Sequence, residues 1–557
     1  MLYLKQMKKG SGFGEYLAVF LALVFAFLNI FHILPPLFKI PPGISYLAIG
    51  HYGYDYLGYL ALIKQGLAGD FLAVNQFAGE KMPGYWVIAW PYLLAGQVGR
   101  LFSFSAPLVY WLSVFLLTGA ILLAVYFLIS FVCREKKFLV FPVFLSFIFA
   151  SPFFKIKNLK PFLPEIYRLT WYSEATFLDR LSVIPHHLLA IFLTLGLFLA
   201  SVFFWQEFFQ KKPLNLKIWL KFFPIVFLFV LIMTLWPIRI VYLFPAFIFS
   251  FAWGFFAYRL KDKQKLLTGS GMVLFLAFVL LGSGLYFKQN VAAVYSPELV
   301  SWEKSQMEFP SLGCFFLATG PVFIFGWLGL IFLILKKVNL PLVLFFGLLA
   351  SFLSYFLFFT PVSLFFNNHN SRFIFSEAYL FLSLTLFFAL EKILPKKNFR
   401  LLWLFVVLLA IFSFPSFFQV LRVRIKSLES VSPIHFFLDK EILAGFQFLD
   451  RLPGEKIVLT PPSSDFGVVL PAFTKAKVFL GYWPATTNYQ QKLSQAQDFY
   501  NGKMSNSQQK EFLTKNGINY IILTAYDFSE KPLFLSSNSD FSLIFSNPKI
   551  QIFVPKR

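Results

Sequence analysis

The residues able to do chemistry stand at the edges of apolar runs. The most informative stretch reads GHYGYDYLGYLALIKQGLAGDFLAVNQFAGEKMPGYW, from Gly50 to Trp86, with Asp55 among His51, Tyr52, Tyr54, Tyr56 and Tyr59. Tyrosines gather at membrane–water boundaries, and a carboxylate among them suits an interface. From Asp55 to Leu67 the spacing is helical, with Asp55, Tyr59 and Leu62 along one face, so an interfacial helix is the simplest structure. Asp55 either caps that helix or is held there to act as a base or ligand. Asp70, Asn75 and Glu80 read as solvated loop residues.

A second stretch holds Glu165, Arg168, Glu174, Asp179 and Arg180, and then Pro185-His186-His187 at the mouth of an apolar run. Neighbouring helical residues point about 100° apart, so His186 and His187 do not easily ligate one ion together. One outward-facing histidine with Glu165 or Glu174 nearby would suit a phosphate or, through the carboxylate, a divalent cation. Arg239, after Trp236-Pro237, and Arg372, closing Asn367-Asn368-His369-Asn370-Ser371, are charges at the ends of apolar spans. Such charges face a cavity or snorkel to the interface. The guanidinium fork also matches a phosphate, including that of an anionic lipid.

These residues need a membrane scaffold to position them. Of 557 residues 58% are hydrophobic and 13% charged, and the mean hydropathy is +0.69. A soluble domain is about half apolar and a quarter charged, so an ordinary soluble fold is excluded. Apolar runs near 15–34, 105–132, 138–155, 185–206, 217–236, 238–257, 266–287, 313–335, 339–360, 372–391 and 399–419 predict about eleven transmembrane helices. The formal charge of +23 comes largely from basic connections such as Arg134-Glu135-Lys136-Lys137 and Lys336-Lys337. All of these fall on one side of an eleven-span topology, with the N-terminus inside and the C-terminus outside. Their regular placement explains the charge without nucleic acid. The stretch 84–98 carries Pro91, Gly96, Gln97 and Gly99 and reads as re-entrant or interfacial. Cys133 and Cys314 supply neither a disulfide framework nor a cysteine metal site.

The long connections then all face outward: 36–84, 156–184, 288–312, 361–371 and the tail. Residues 1–435 form the membrane domain with its large first outer loop, 36–84. Residues 436–557 change in composition and predict a small extracytoplasmic α/β domain. Glu455–Pro461, Ala476–Tyr482, Ile518–Ala525, Phe541–Phe545 and Lys549–Val554 read as strands and Ser505–Lys515 as a capped helix. No catalytic cluster is visible in this tail, which reads as a structural or substrate-gating module.

In the order of these features the chain resembles the GT-C superfamily of integral-membrane glycosyltransferases, including the bacterial aminoarabinose and protein-mannosyl transferase types. One helix leads to a large outer loop with an acidic residue near its start, Asp55, followed by interfacial helices, many spans and an outward C-terminal domain. Further points of likeness to bacterial members are Asp55 and Tyr59 in an Asp-x-x-x-Tyr pattern, Gln65-Gly66, Pro185-His186 and Arg372 opening a late span. The resemblance implies a polyprenyl-phosphate sugar donor used on the outer face of a bacterial plasma membrane, with a lipid, glycan or protein acceptor. It implies an inverting displacement in which Asp55 is the base or the ligand of the acceptor or a cation. Arg372, then His186, then Arg239, would take the donor phosphate, with Tyr59, Glu165 and His187 as further substrate-binding candidates. The cofactor is open between none and a divalent cation. The chain departs from the protein-mannosyl pattern at Asp55, which is flanked by Tyr54 and Tyr56 rather than by a second acid. A lipid or glycan transporter or flippase, which would place charges at the bilayer midplane, and a noncatalytic envelope scaffold are the alternatives.

Overall fold

A computed structural model describes residues 12–49, 53–159, 162–170, 176–209, 216–258, 262–291, 296–394, 399–430, 437–526, 535 and 540–556. The candidates His51 and Glu174 lie outside these residues. Two compact units emerge. The first takes in residues up to Asn29, Val114–Tyr286 and Lys304–Val423; the second takes in Ile30–Ser113, Phe287–Glu303 and the chain from Arg424 onward.

Among the described residues eight helices are long and apolar enough to cross a membrane: Gly14–Ile33, Ala106–Val132, Pro185–Phe208, Leu216–Leu235, Pro237–Ala257, Lys263–Asn290, Leu312–Leu335 and Arg400–Lys426. The remaining three apolar runs also become helices, but shorter ones: Val140–Phe149, Leu342–Phe358 and Ala378–Ile393. Local chemistry sets each limit. The first ends at Ala150 in extended backbone just before Ser151-Pro152, the second starts behind Pro341, and the third follows a 3-10 turn at Asn370–Phe373. A proline lacks the N–H a continuing helix needs and restricts the residue before it.

In the first unit Ala378–Ile393 is buried continuously from Ala378 to Ala389, as expected of a helix apolar on every face. Leu312–Leu335 packs along it, and the Thr385 hydroxyl donates to Gly326 O at 2.9 Å. That long helix is kinked at Gly320, whose φ of +77° precedes Pro321. A Cβ at Gly320 would lie 1.9 Å from Ser151 O, so both the backbone angle and the close approach require glycine. The connection after Ser151 forms a hairpin of two antiparallel strands, Phe154–Leu159 and Phe162–Ile166.

In the second unit the short strand Ile44–Tyr46 pairs antiparallel with Phe437–Asp439, joining the first loop to the start of the tail. Five of the chain's strands, numbered in order along the tail, make one sheet: β1 Ile457–Leu459, β2 Lys477–Val478, β3 Tyr520–Thr524, β4 Phe541–Ser546 and β5 Ile550–Pro555. The order is β2-β1-β3-β5-β4, parallel around β1 and antiparallel on both sides of β5. All five lie within or against the predicted strands. The helix Asn506–Lys515 carries a full capping box from Ser505 and Gln508. Helices Lys440–Arg451, Phe466–Phe473 and Tyr489–Tyr500 complete the layer and are additional to the sequence reading.

The stretch 84–98 yields a helix, Trp90–Leu101, of 12 residues. At 1.5 Å per residue it is about 18 Å long, short of the hydrocarbon thickness of about 30 Å. It crosses Gly53–Ala68 at a glycine-to-glycine contact. A Cβ on Gly66 would sit 2.3 Å from Leu93 O, and one on Gly96 2.4 Å from Ile63 O.

Candidate functional site

The second unit builds its site around Asp55. Asp55 occupies the first turn of Gly53–Ala68, where a carboxylate interacts favourably with the helix dipole. Its Oδ1 accepts a hydrogen bond from the Tyr482 hydroxyl, which follows β2 in the tail. The Tyr482 ring lies over Gly58, one turn along the same helix, where a Cβ would be 3.7 Å from the ring. The edge of Phe77 meets it with ring centroids 5.8 Å apart. Beside Asp55, Tyr54 donates to Asp465; burial first, then the Asp465 charge and hydrogen bond, hold the Tyr54 phenol above its usual range. Burial and Asp465 raise the Tyr489 phenol too. Asp55 and Asp465 are thus each bordered by tyrosine hydroxyls. Tyr59 instead stacks on Tyr92, with centroids 4.6 Å apart and planes 5° from parallel, and serves the helix crossing.

Residues 65–80 hold this arrangement to the tail through side chains to which sequence reasoning assigned no such role. Gln65 accepts from Val74 N at 2.7 Å and donates to Val74 O at 3.1 Å and Gln76 Oε1 at 3.0 Å. Gln76 O accepts from Val478 N at 2.8 Å, so the loop runs along the outer edge of β2. Asn75, read from sequence as a solvated loop residue, is 3% exposed and donates to Ala485 O at 2.8 Å. Glu80, also read that way, pairs with Lys492 at 2.6 Å and accepts from Thr487. Burial lowers the Lys492 ammonium against the opposing pull of Glu80. The Thr486 hydroxyl donates to Phe77 O at 2.6 Å. Residues 74–78, Val-Asn-Gln-Phe-Ala, show no period-two alternation, so the sequence offered no signal for this edge contact.

The first unit gathers the cations. His186 and His187 open the helix Pro185–Phe208, both buried, with ring centroids 4.4 Å apart. His187 stacks on Trp236 at 4.4 Å, and the Arg239 guanidinium covers the same indole at 4.7 Å. Arg239 is 1% exposed, donates to Thr194 at 3.2 Å, and forms a 2.5 Å ion pair with Glu377. Ser376 donates to the other Glu377 oxygen at 2.9 Å. Arg372 is only half-buried, and its charge acts on both His186 and His187. Four of the predicted residues, His186, His187, Arg239 and Arg372, therefore form one cluster, which also includes Thr194, Trp236 and Glu377.

Glu165 is elsewhere. On the hairpin it pairs with Lys155 and Lys157, each at 3.1 Å, and these two lysines hold its carboxyl below the usual carboxylate range. Arg180 is buried too: it donates to Phe147 O at 2.8 Å and Ala150 O at 3.0 Å, closing the end of Val140–Phe149, and stacks over Tyr379 at 4.4 Å. Among the described residues no three of His, Cys, Asp and Glu converge on one point. Asp55 with its phenol partner is not a full protein cage for a cation.

No protein-family model matches the sequence, and no curated protein matches it. Solved structures do. The fold is of the GT-C type, built on many membrane helices with a small sheet-containing C-terminal part. The chain is similar to the Archaeoglobus fulgidus oligosaccharyltransferase in its apo form, with 15% identity, a TM-score of 0.50, and coverage of 92% of this chain and 70% of that one. It is also similar to that enzyme tethered through a disulfide to an acceptor peptide containing the NVT sequon, with 13% identity, a TM-score of 0.51, and coverage of 92% and 69%. At these identities the likeness is one of fold.

Proposed function

We propose that the chain is a membrane glycosyltransferase that moves a sugar from a polyprenyl-phosphate-linked donor to an acceptor at the outer face of a bacterial plasma membrane. The observation that carries this reading is Asp55, a partly exposed carboxylate at the start of a short helix in a GT-C-type fold, hydrogen-bonded by a tyrosine. An acceptor hydroxyl or amide nitrogen attacks the anomeric carbon from the face opposite the phosphate. A bond forms between the acceptor atom and that carbon, the carbon–oxygen bond to phosphate breaks, and its electron pair leaves with the lipid phosphate. The acceptor proton passes to Asp55, and the sugar's configuration inverts.

The phosphate is already a good leaving group, so the protein has mainly to orient it and offset its charge. Arg372 is the first candidate, because it is half-buried, whereas Arg239 is 1% exposed and paired with Glu377. The Glu165 charge is likewise opposed, by Lys155 and Lys157, which sets it aside as a donor ligand. The fold neighbour is tethered to an acceptor peptide, so a peptide is the first acceptor to try, followed by glycans and lipids.

The test is transfer of label from a panel of polyprenyl-phosphate sugars into such acceptors by the purified protein in nanodiscs, with and without Mg²⁺ or Mn²⁺. Turnover by the unaltered protein, lost in Asp55→Asn at unchanged folding, supports the reading. Donor binding with equal turnover in Asp55→Asn moves the base elsewhere. No binding of any lipid-linked sugar leaves the transporter and scaffold alternatives.

A further inference from the structure

We infer that Tyr482, supplied by the C-terminal segment, is the positioning residue for the Asp55 carboxylate, so the tail contributes directly to the reacting centre. The inference rests on the glycosyltransferase reading, but its physical basis is local to the second unit. The Tyr482 hydroxyl donates to one Asp55 oxygen across 427 residues of sequence. A carboxylate in the first turn of a helix rotates freely about χ2 unless something fixes it, because that terminal torsion is broad. A phenol donor on Oδ1 selects among those rotamers and so fixes the direction in which the carboxylate presents its second oxygen.

The phenol is itself held on several sides. Its ring fits over Gly58, where there is no side chain, and meets the edge of Phe77. The backbone on either side is braced from within the second unit: Gly481 N donates to Thr486 Oγ1 at 3.3 Å, the Thr486 hydroxyl donates to Phe77 O, and Asn75 donates to Ala485 O. Trp483 meets Trp302 with centroids 6.0 Å apart, and Ser296 N donates to Pro484 O at 2.8 Å. The turn bearing Tyr482 is therefore fastened to residues on three separate stretches of chain. A gating module would need only to approach the acceptor path; this one reaches the carboxylate.

The experiment has two arms on the full-length protein in nanodiscs. In the first, 3-fluorotyrosine is placed at position 482 and its ¹⁹F resonance is compared with and without Asp55→Asn. A shift supports the pairing, and an unmoved resonance overturns it. In the second, turnover of the label-transfer assay is measured for Tyr482→Phe. The expected result is a fall in kcat of about tenfold, the scale of one hydrogen bond to a charged group, with the donor KM unchanged. Tyr482→His, which keeps a donor, restores part of the loss, and Tyr482→Phe adds nothing in the Asp55→Asn background. A kcat equal to that of the unaltered protein, or a loss in Tyr482→Phe that multiplies with that of Asp55→Asn, overturns the positioning role. A protein without turnover overturns the functional reading and this role with it, whereas active protein indifferent to Tyr482→Phe overturns this inference alone.

Discussion

In the second unit Asp55 is partly exposed and takes a hydrogen bond from a neutral phenol, whereas in the first unit Glu377 is 2% exposed and bound to a guanidinium. The two carboxylates each accept from a hydroxyl, Tyr482 for Asp55 and Ser376 for Glu377, yet only Asp55 is partly exposed. Glu377 neutralises a charge that could not otherwise remain buried. Asp55 is partly exposed, and its Oδ1 accepts from Tyr482. The difference teaches that burial and ion pairing commit Glu377 to the scaffold, whereas the partly exposed Asp55 is the carboxylate on which the proposed chemistry can be tested.

Substitutions at four positions break or sharpen that contrast. The largest effect is expected at Asp55: Asp55→Asn lowers turnover by about 10²–10⁴-fold, the range for a lost general base, with the unfolding midpoint unchanged in a thermal scan. Glu377→Ala has the reverse signature. It strands a buried Arg239 and destabilises the protein by about 3–5 kcal/mol, read as a fall in folded fraction by thermal unfolding, and Glu377→Gln loses less. Gly96→Val drives a side chain against the backbone of Gly53–Ala68 and destabilises the second unit by about 1–3 kcal/mol, visible as faster hydrogen exchange in both crossing helices. The smallest effect is at the hairpin. The Glu165 carboxyl lies below its ordinary range in the folded chain, so its pairing is complete above that range and is lost as pH falls through the folded value. Hydrogen exchange of the hairpin rises slightly on acidification in the unaltered protein, and this pH response is absent in Glu165→Gln.

Much of the scaffold was legible because it depends on local pattern. The eleven apolar runs all form helices, and the short apolar, β-branched-rich runs Ile457–Leu459, Tyr520–Thr524 and Ile550–Pro555 mark strands. Helix lengths were less legible, since Pro152, Pro341 and the polar turn at Asn370–Phe373 shorten runs whose hydropathy continues past them. Arg239, His186, His187 and Arg372 stood out as charged or titratable residues at the ends of apolar runs, where such groups are costly. Thr194 did not, because a threonine inside a helix carries no local signature; Glu377, an acid inside the predicted run 372–391, did carry that signal and was overlooked. Tyr482 was hidden for a simpler reason. Its partner is 427 residues away, and nothing in Gly481-Tyr482-Trp483 states which carboxylate it will meet.

The most direct test of the central claim is to measure, in one nanodisc preparation of each protein, both donor affinity and turnover for Asp55→Asn and Arg372→Ala with a labelled polyprenyl-phosphate sugar. The account predicts a crossed result: Asp55→Asn binds donor as tightly as the unaltered protein but does not turn it over, and Arg372→Ala binds it more weakly by about tenfold or more, as for a lost charge-assisted hydrogen bond. Equal donor affinity in Arg372→Ala together with full turnover in Asp55→Asn would contradict it.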